Sequence, residues 1–370
     1  MNRVRFVSLL AGVMFVGAAC GASSTPTAAP TAAPTAAPTA APATAPASAA
    51  ASVAPSASAA AFQAPNLAGQ TARIMVDGDV TLSKVVASHA FNLLRQWGAD
   101  IQVTYGGSGQ VLMAALVTGK MDVLEVSAGD AMSAAAAGVA INVFVLAAPR
   151  MDYALIGSAK IKTLQDLKGA TIGLSAVKSI NELQADLALE AAGLTPKDAT
   201  FIVVGGQSAR TSALVAGKLD ATMVGFANWL KLQGEGYNLL YSYTKMQPDL
   251  YDDTLEASPA WLAKNPVLAT AFNEALLMSF RWFDDPANKQ AWVDEVMAAI
   301  QGSDAAIVSQ MYDLYLANDM YPADAVITAN GLNFTQDALV KVGAQDKALP
   351  MTQIGDPSFA QQALQAVGNQ

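Results

Sequence analysis

Cysteine and histidine are almost absent from this chain of 370 residues, which holds one of each, Cys20 and His89. That excludes an intrachain disulfide, a thiolate or multi-histidine zinc cage and a cysteine redox pair. Charge is sparse as well: charged residues make up 14%, with 30 Asp and Glu against 21 Lys and Arg, for a net charge of −9. Only Arg3 and Arg5 carry charge before Arg73, so the body of the chain is more acidic still. Such a balance suits nucleic acid poorly, because affinity there comes largely from neutralised phosphates. Phosphate loops are missing too. Neither Gly106–Gly109 nor Gly205–Gly206 completes G-x-G-x-x-G, and no Gly-Lys-Ser/Thr occurs. The carboxylate pairs Asp252-Asp253 and Asp284-Asp285 are adjacent in sequence, which on a helix points them apart. No acid–base dyad, metal cluster or cofactor motif is read, and the residues argue against an enzyme.

No apolar run is long enough to span a bilayer, which takes roughly 20 helical residues. The longest near the start, Phe6–Ala19, follows the basic segment Met1–Arg5 and ends in small residues. It reads as a secretory signal over residues 1–19. The run closes Val16-Gly17-Ala18-Ala19-Cys20, which resembles a bacterial lipobox except for Gly17. The resemblance implies a lipidated Cys20 and anchorage on the extracytoplasmic side of the cell membrane; a plain signal-peptidase site is the alternative. Residues 20–65 then form an Ala-, Pro-, Ser- and Thr-rich stretch with four consecutive Thr-Ala-Ala-Pro copies from Thr27 to Pro42. Without charge or large side chains it cannot offset its own ordering entropy, so it reads as an extended tether, with or without glycans.

From Asn66 onward short β-rich runs alternate with helical patterns. Ile74–Val76 reads as a strand, followed by a helix with Thr81 as N-cap and Trp97 at its end. Leu82, Val85, Val86, Leu93, Leu94 and Trp97 share one face of it, His89 reads as structural, and Gly98 stops it. Further strands are expected at Ile101–Tyr105, Met121–Val126, Ile141–Ala147, Ala154–Gly157, Thr171–Leu174, Thr200–Val204, Ala221–Val224 and Asn238–Tyr243. Beyond Pro266 the pattern is helical. The alternation predicts an α/β protein with mostly parallel sheets flanked by helices. An internal echo sharpens this. Ala115-Leu116-Val117-Thr118-Gly119-Lys120-Met121-Asp122-Val123 recurs as Ala213-Leu214-Val215-Ala216-Gly217-Lys218-Leu219-Asp220-Ala221. Each copy reads as a helix stopped by Gly, then an Asp opening a buried strand. Two similar lobes imply a cleft between the carboxyl ends of their strands, where ligands of parallel sheets bind.

These segments, with Lys162-Thr163-Leu164-Gln165-Asp166-Leu167-Lys168-Gly169-Ala170-Thr171-Ile172-Gly173, Ala192-Gly193-Leu194-Thr195-Pro196 and Asn265-Pro266, resemble the SsuA/THI5-like (NMT1) substrate-binding proteins of ABC importers. The resemblance covers nearly everything from Arg73 to Leu364. It implies a two-lobed periplasmic-binding-protein type II fold with two hinge crossovers, near Ala148–Asp152 and Ser242–Gln247. Lobe 1 would comprise 66–149 and 244–370, and lobe 2 would comprise 150–243. It also implies a monomer that captures a small solute and delivers it to a permease and its ATPase. A lipid-anchored receptor without a permease is a second possibility. The chain departs from the family pattern at Ser175-Ala176-Val177-Lys178-Ser179 and at Phe226-Ala227-Asn228-Trp229.

The candidate ligand contacts lie at strand ends and the helix starts that follow them. Ser108, Gly109, Ser175, Lys178 and Ser179 offer hydroxyls, free N–H groups and a cation. Asp77, Ser127, Gln207 and Asn228 offer acceptors and donors. Tyr105, Tyr153, Phe226 and Trp229 offer stacking surfaces. Asp122 and Asp220 read as shared turn residues, and Arg150 as a hinge residue. Few cations and several aromatics favour a neutral heteroaromatic vitamin or precursor, riboflavin or a thiamine-type pyrimidine. The alternative is a small anion such as taurine, another sulfonate or nitrate, held by helix N-termini.

Overall fold

The computed structural model describes residues 62–107 and 109–368. The signal, most of the tether, Cys20 and Ser108 lie outside them. The chain first lays down β1 (Thr71–Val76), α1 (Val85–Gln96), β2 (Asp100–Tyr105), α2 (Gly109–Val117), β3 (Val123–Ser127), α3 (Ala128–Ala136) and β4 (Asn142–Ala148). It crosses to a second sheet formed with β5 (Tyr153–Gly157), β6 (Thr171–Leu174), α4 (Ile180–Ala191), β7 (Thr200–Val203), α5 (Gln207–Val215), β8 (Ala221–Gly225), α6 (Phe226–Leu232) and β9 (Asn238–Ser242). After the short α7 (Tyr243–Met246) it returns to the first sheet as β10 (Asp253–Ala257). Helices α8 (Pro259–Lys264), α9 (Pro266–Asp284), α10 (Lys289–Ala299), α11 (Ala305–Ala317), α12 (Ala329–Lys341), α13 (Met351–Ile354) and α14 (Ser358–Val367) complete it.

Both sheets have five strands, ordered β2-β1-β3-β10-β4 and β7-β6-β8-β5-β9. They are mixed rather than mostly parallel. β10 runs antiparallel to β3 and β4, and β5 antiparallel to β8 and β9. The reason is where the chain enters. Parallel strands end at the cleft, so a chain crossing the cleft must run away from it on arrival. β10 was not among the expected strands.

The repeated turns are built alike. Gly119 and Gly217 have φ of +69° and +70°, and the next Lys N–H donates to Ala115 O or Ala213 O, each at 2.9 Å. Asp122 then accepts from the Arg73 N–H at 2.9 Å, and Asp220 from the Thr171 N–H at 2.8 Å. Each aspartate thus clips the start of the neighbouring strand, which accounts for the echo. The helix expected from Thr81 begins later. Thr81 makes no side-chain cap, and Leu82–Lys84 form a 3-10 turn before α1. Gly98 has φ +103°, and a Cβ there would meet Ala68 N at 3.1 Å.

The core of the first sheet fills both faces. One side packs Phe91, Phe144, Phe272, Phe280 and Trp292; the other packs Leu124, Val126, Met132 and Leu332. Arg150 pairs with Asp319 at 2.7 Å. His89 is structural: it stacks on Trp282 at 3.9 Å between ring centroids and meets Glu295 at 2.8 Å.

Candidate ligand-binding site

A cavity of about 890 Å³ lies between the strand ends of the two sheets. Its walls come from the segments that geometry places there: the residue after β1 (Asp77), the end of β3 (Ser127), the first crossing (Asp152), the start of α4 (Ser179) and the end of β8 (Gly225). The loop from Ile300 to Asp304, between α10 and α11, closes one side.

Seven sequence-expected residues line this cavity: Asp77, Ser127, Tyr153, Lys178, Ser179, Gln207 and Asn228. Ser127 caps α3 by accepting from the Asp130 N–H at 3.1 Å, and Ser179 caps α4 by accepting from the Glu182 N–H at 3.4 Å. Gln207 Oε1 accepts from the Gly225 N–H at 2.9 Å, tying α5 to β8. Lys178 holds φ +55°.

The remaining expectations fall elsewhere. Phe226 is 1% exposed and belongs to the core, because the first turn of α6 faces inward. Trp229 packs against two core clusters. Tyr105 sits on the edge strand β2, with its hydroxyl 3.0 Å from Ser88 Oγ. Of the four expected aromatics, only Tyr153 reaches the cavity. Ser175 lies behind the wall, its Oγ donating to Ser179 Oγ at 3.2 Å. Gly109 opens α2 beside Asp130, whose Oδ2 would stand 3.3 Å from a Cβ there. Ser108 lies outside the described residues. Arg210 is also away from the cavity, buried and bonded to the carbonyls of Gly205 at 2.5 Å and Met223 at 3.2 Å.

Carboxylates that the sequence reading passed over dominate the site. Asp130, Asp152, Asp252 and Asp253 line it beside Asp77, and Lys84 is the cation at their centre. Lys84 is 7% exposed. Its Nζ donates to Asp77 O at 2.8 Å, pairs with the Asp77 carboxylate and stands 3.9 Å from Asp253 Oδ2. Burial opposes its charge, but Asp253, Glu125 and Asp77 outweigh that and hold its pKa above the ordinary lysine range. Glu125 lies behind this group, 1% exposed, with Oε1 lacking a hydrogen-bond partner. Burial and then Asp253 push it up to about 8 against the pull of Lys84.

Asp152 bridges the lobes. Its Oδ2 accepts from Tyr315 OH of α11 at 2.6 Å, and its Oδ1 from the Phe226 N–H of α6 at 3.4 Å. Burial raises it to about 7 despite those bonds. Burial, then Asp253 and Asp152, raise Asp252 well above the usual carboxylate range. Lys84 was legible in principle. A lysine in the first turn of a helix opposes the dipole and calls for carboxylates nearby.

A family model described as NMT1/THI5 like matches residues 94–288. No curated protein sequence matches significantly. Among solved structures, the chain is similar to a putative sulfonate ABC transporter periplasmic sulfonate-binding protein, SsuA, from Methylobacillus flagellatus KT. Identity is 19%, covering 80% of this chain and 94% of that one, at a TM-score of 0.65. The periplasmic aliphatic sulphonate-binding protein SsuA from Escherichia coli matches at 18% identity, covering 77% and 91%, with a TM-score of 0.62. The periplasmic nitrate-binding protein NrtA from Synechocystis PCC 6803 matches at 13%, covering 80% and 89%, with a TM-score of 0.63. At these identities the likeness establishes a common fold, the periplasmic-binding-protein type II architecture.

Proposed function

Because the chain belongs to the NMT1/THI5-like family, we propose that it is the extracytoplasmic solute-binding component of an ABC importer, acting by capture and not by turnover. Its ligand is a small heteroaromatic rich in N–H and O–H donors, of the riboflavin or thiamine-pyrimidine type. One observation carries the ligand class: six aspartates and three lysines line the cavity, so acceptor groups outnumber cations. Aspartates accept from ring N–H, amino and hydroxyl groups, and Tyr153 supplies one aromatic face. Closure of two lobes on a solute stabilises the closed state by the contacts the solute makes only there.

The remaining parts of the reading follow from the family role. The monomeric chain hands its solute to a permease and ATPase. Cys20 carries the lipid anchor, and the segment up to Pro65 is the tether. Among the described residues no helix is long and apolar enough to cross a membrane.

A second reading, capture of taurine, another sulfonate or nitrate, has its own support. Lys178 and Ser179 stand together at the start of α4, where N–H groups suit an anion. Thermal melts decide between them, since whatever binds only the native state raises the melting point. Riboflavin or amino-hydroxymethyl-methylpyrimidine is expected to raise it at one-to-one stoichiometry. A rise with taurine or nitrate and with neither heterocycle would transfer the site to Lys178 and Ser179.

A further inference from the structure

The two crossings between the lobes each bring an aspartate into the cavity, Asp152 from the first and Asp252 from the second. The main chain of Asp252 is fixed from both sides. Its N–H donates to Ala148 O at 3.3 Å, and its carbonyl accepts from the Ala128 N–H at 2.7 Å. Its carboxylate has no side-chain hydrogen-bond partner or ion pair among the described residues, and only the main-chain N–H of Asp152 supports it. Asp152 has only neutral donors, Tyr315 OH and the Phe226 N–H. The nearest internal cation, Lys84, is committed to Asp77 and leans toward Asp253.

A second observation points the same way. Glu125 shares its face of β3 with the cavity-lining Ser127, and its buried Oε1 is unpartnered. The group around Lys84 therefore already carries more carboxylates than one lysine can neutralise. Fixed carboxyl groups that lack a counter-ion, and whose burial favours the protonated form, can give up that proton to a bound positive charge in a cavity that closes around its solute.

We infer that the solute is an organic cation whose ammonium or protonated nitrogen seats between Asp152 and Asp252, so that these two hinge residues determine specificity by charge. The inference rests on the heteroaromatic reading above and deepens it. Placing the counter-ions on the crossings also couples ligand charge to closure, because both carboxylates change their surroundings when the lobes move.

The test uses an isosteric pair on the full chain: amino-hydroxymethyl-methylpyrimidine, which is neutral at pH 8, and its aminomethyl analogue, in which an ammonium replaces the hydroxyl. Calorimetric titration should show the aminomethyl compound binding at least about tenfold tighter. Asp252→Asn should remove most of that preference, because it weakens the aminomethyl compound by about tenfold more than the hydroxymethyl compound. Asp152→Asn should act in the same direction. Asp324→Asn, on an exposed turn away from the cavity, should change neither. Thermal melts of each variant establish that it is folded.

Equal or tighter binding of the hydroxymethyl compound, or of riboflavin, with no preference for the ammonium overturns this inference and leaves the heteroaromatic reading standing. Binding of taurine or nitrate alone overturns both. Failure of the aminomethyl compound to bind at millimolar concentration overturns the inference whatever else binds.

Discussion

Lys84 shows how one side chain can organise a binding cleft. A buried ammonium at the start of a helix is unfavourable on two counts, desolvation and the helix dipole, and it persists here because it answers several carboxylates at once. Lys84→Met leaves Asp77, Asp253 and Glu125 facing each other without a cation. It should cost about 3 kcal/mol or more at pH 8, read by urea unfolding. The cost should shrink at pH 5, where Glu125 and Asp253 can take up protons; an equal loss at both values would show that Lys84 acts by packing alone.

The wild-type protein should carry a related pH signature. Glu125 and Asp152 have folded pKa values of about 8 and about 7, above their ordinary ones, so the native state holds protons that the unfolded chain has released. Their contribution is present at low pH and lost as pH rises from about 4 towards 8. Carboxylates held low, such as Asp122, lose their contribution only below the ordinary carboxylate range. The ligand-free protein should therefore melt several degrees higher at pH 5 than at pH 8. Glu125→Gln should be the more stable form at pH 8 and narrow the difference; a flat profile in the wild type would contradict the protonated assignment.

At the scale of elements, the repeated helix–Gly–Lys–x–Asp turn is where sequence and structure correspond most closely. Gly119 and Gly217 occupy the left-handed region with open space around the Cβ position. Replacement by alanine should thus cost backbone strain alone, about 1 kcal/mol at each site. Denaturant melts of Gly119→Ala and Gly217→Ala should give matching losses; unequal ones would mean that the turns differ in role.

This correspondence explains which parts of the fold were legible. Turn chemistry is local, so the echo and the nine β-rich runs that became β1 to β9 could be read from residues alone. Strand direction is not local. β10 was missed because Asp253-Thr254-Leu255-Glu256-Ala257 carries charge at two positions, and its antiparallel course follows from the point at which the chain re-enters the lobe. The site divides similarly. Ser127 and Ser179 announce themselves as caps after strands, whereas Phe226 and Trp229 occupy the same kind of position but turn into the core. Asp152 and Asp252 lie 100 residues apart in number, and only the two crossings bring them to one cavity.

For the whole molecule, the contacts that hold the lobes together are apolar as well as polar. Helix α6, which follows a strand of the second sheet, buries Phe226 in the core of the first. Helix α12 does the converse. Leu332 and Leu339 enter the core beneath the first sheet, while Ala338, with Phe334 and Val342 beside it, joins the core of the second. Lys341 of α12 pairs with Glu190 of α4 on the same flank. Opening the cleft must expose these apolar surfaces, so they bias the ligand-free protein towards the closed arrangement and pre-pay part of the cost of capture. Ala338→Glu places a carboxylate, without an added partner, in the α12 contact while leaving both sheets intact. The open form should then gain population. Small-angle scattering should show a larger radius of gyration for the ligand-free variant than for the wild type, and apparent affinity should fall about tenfold for each 1.4 kcal/mol removed from the closed state. Saturating ligand should restore the wild-type radius. If the variant scatters as the wild type does without ligand, the α12 contact does not govern closure, and the bias must reside in the hinge bonds of Asp152.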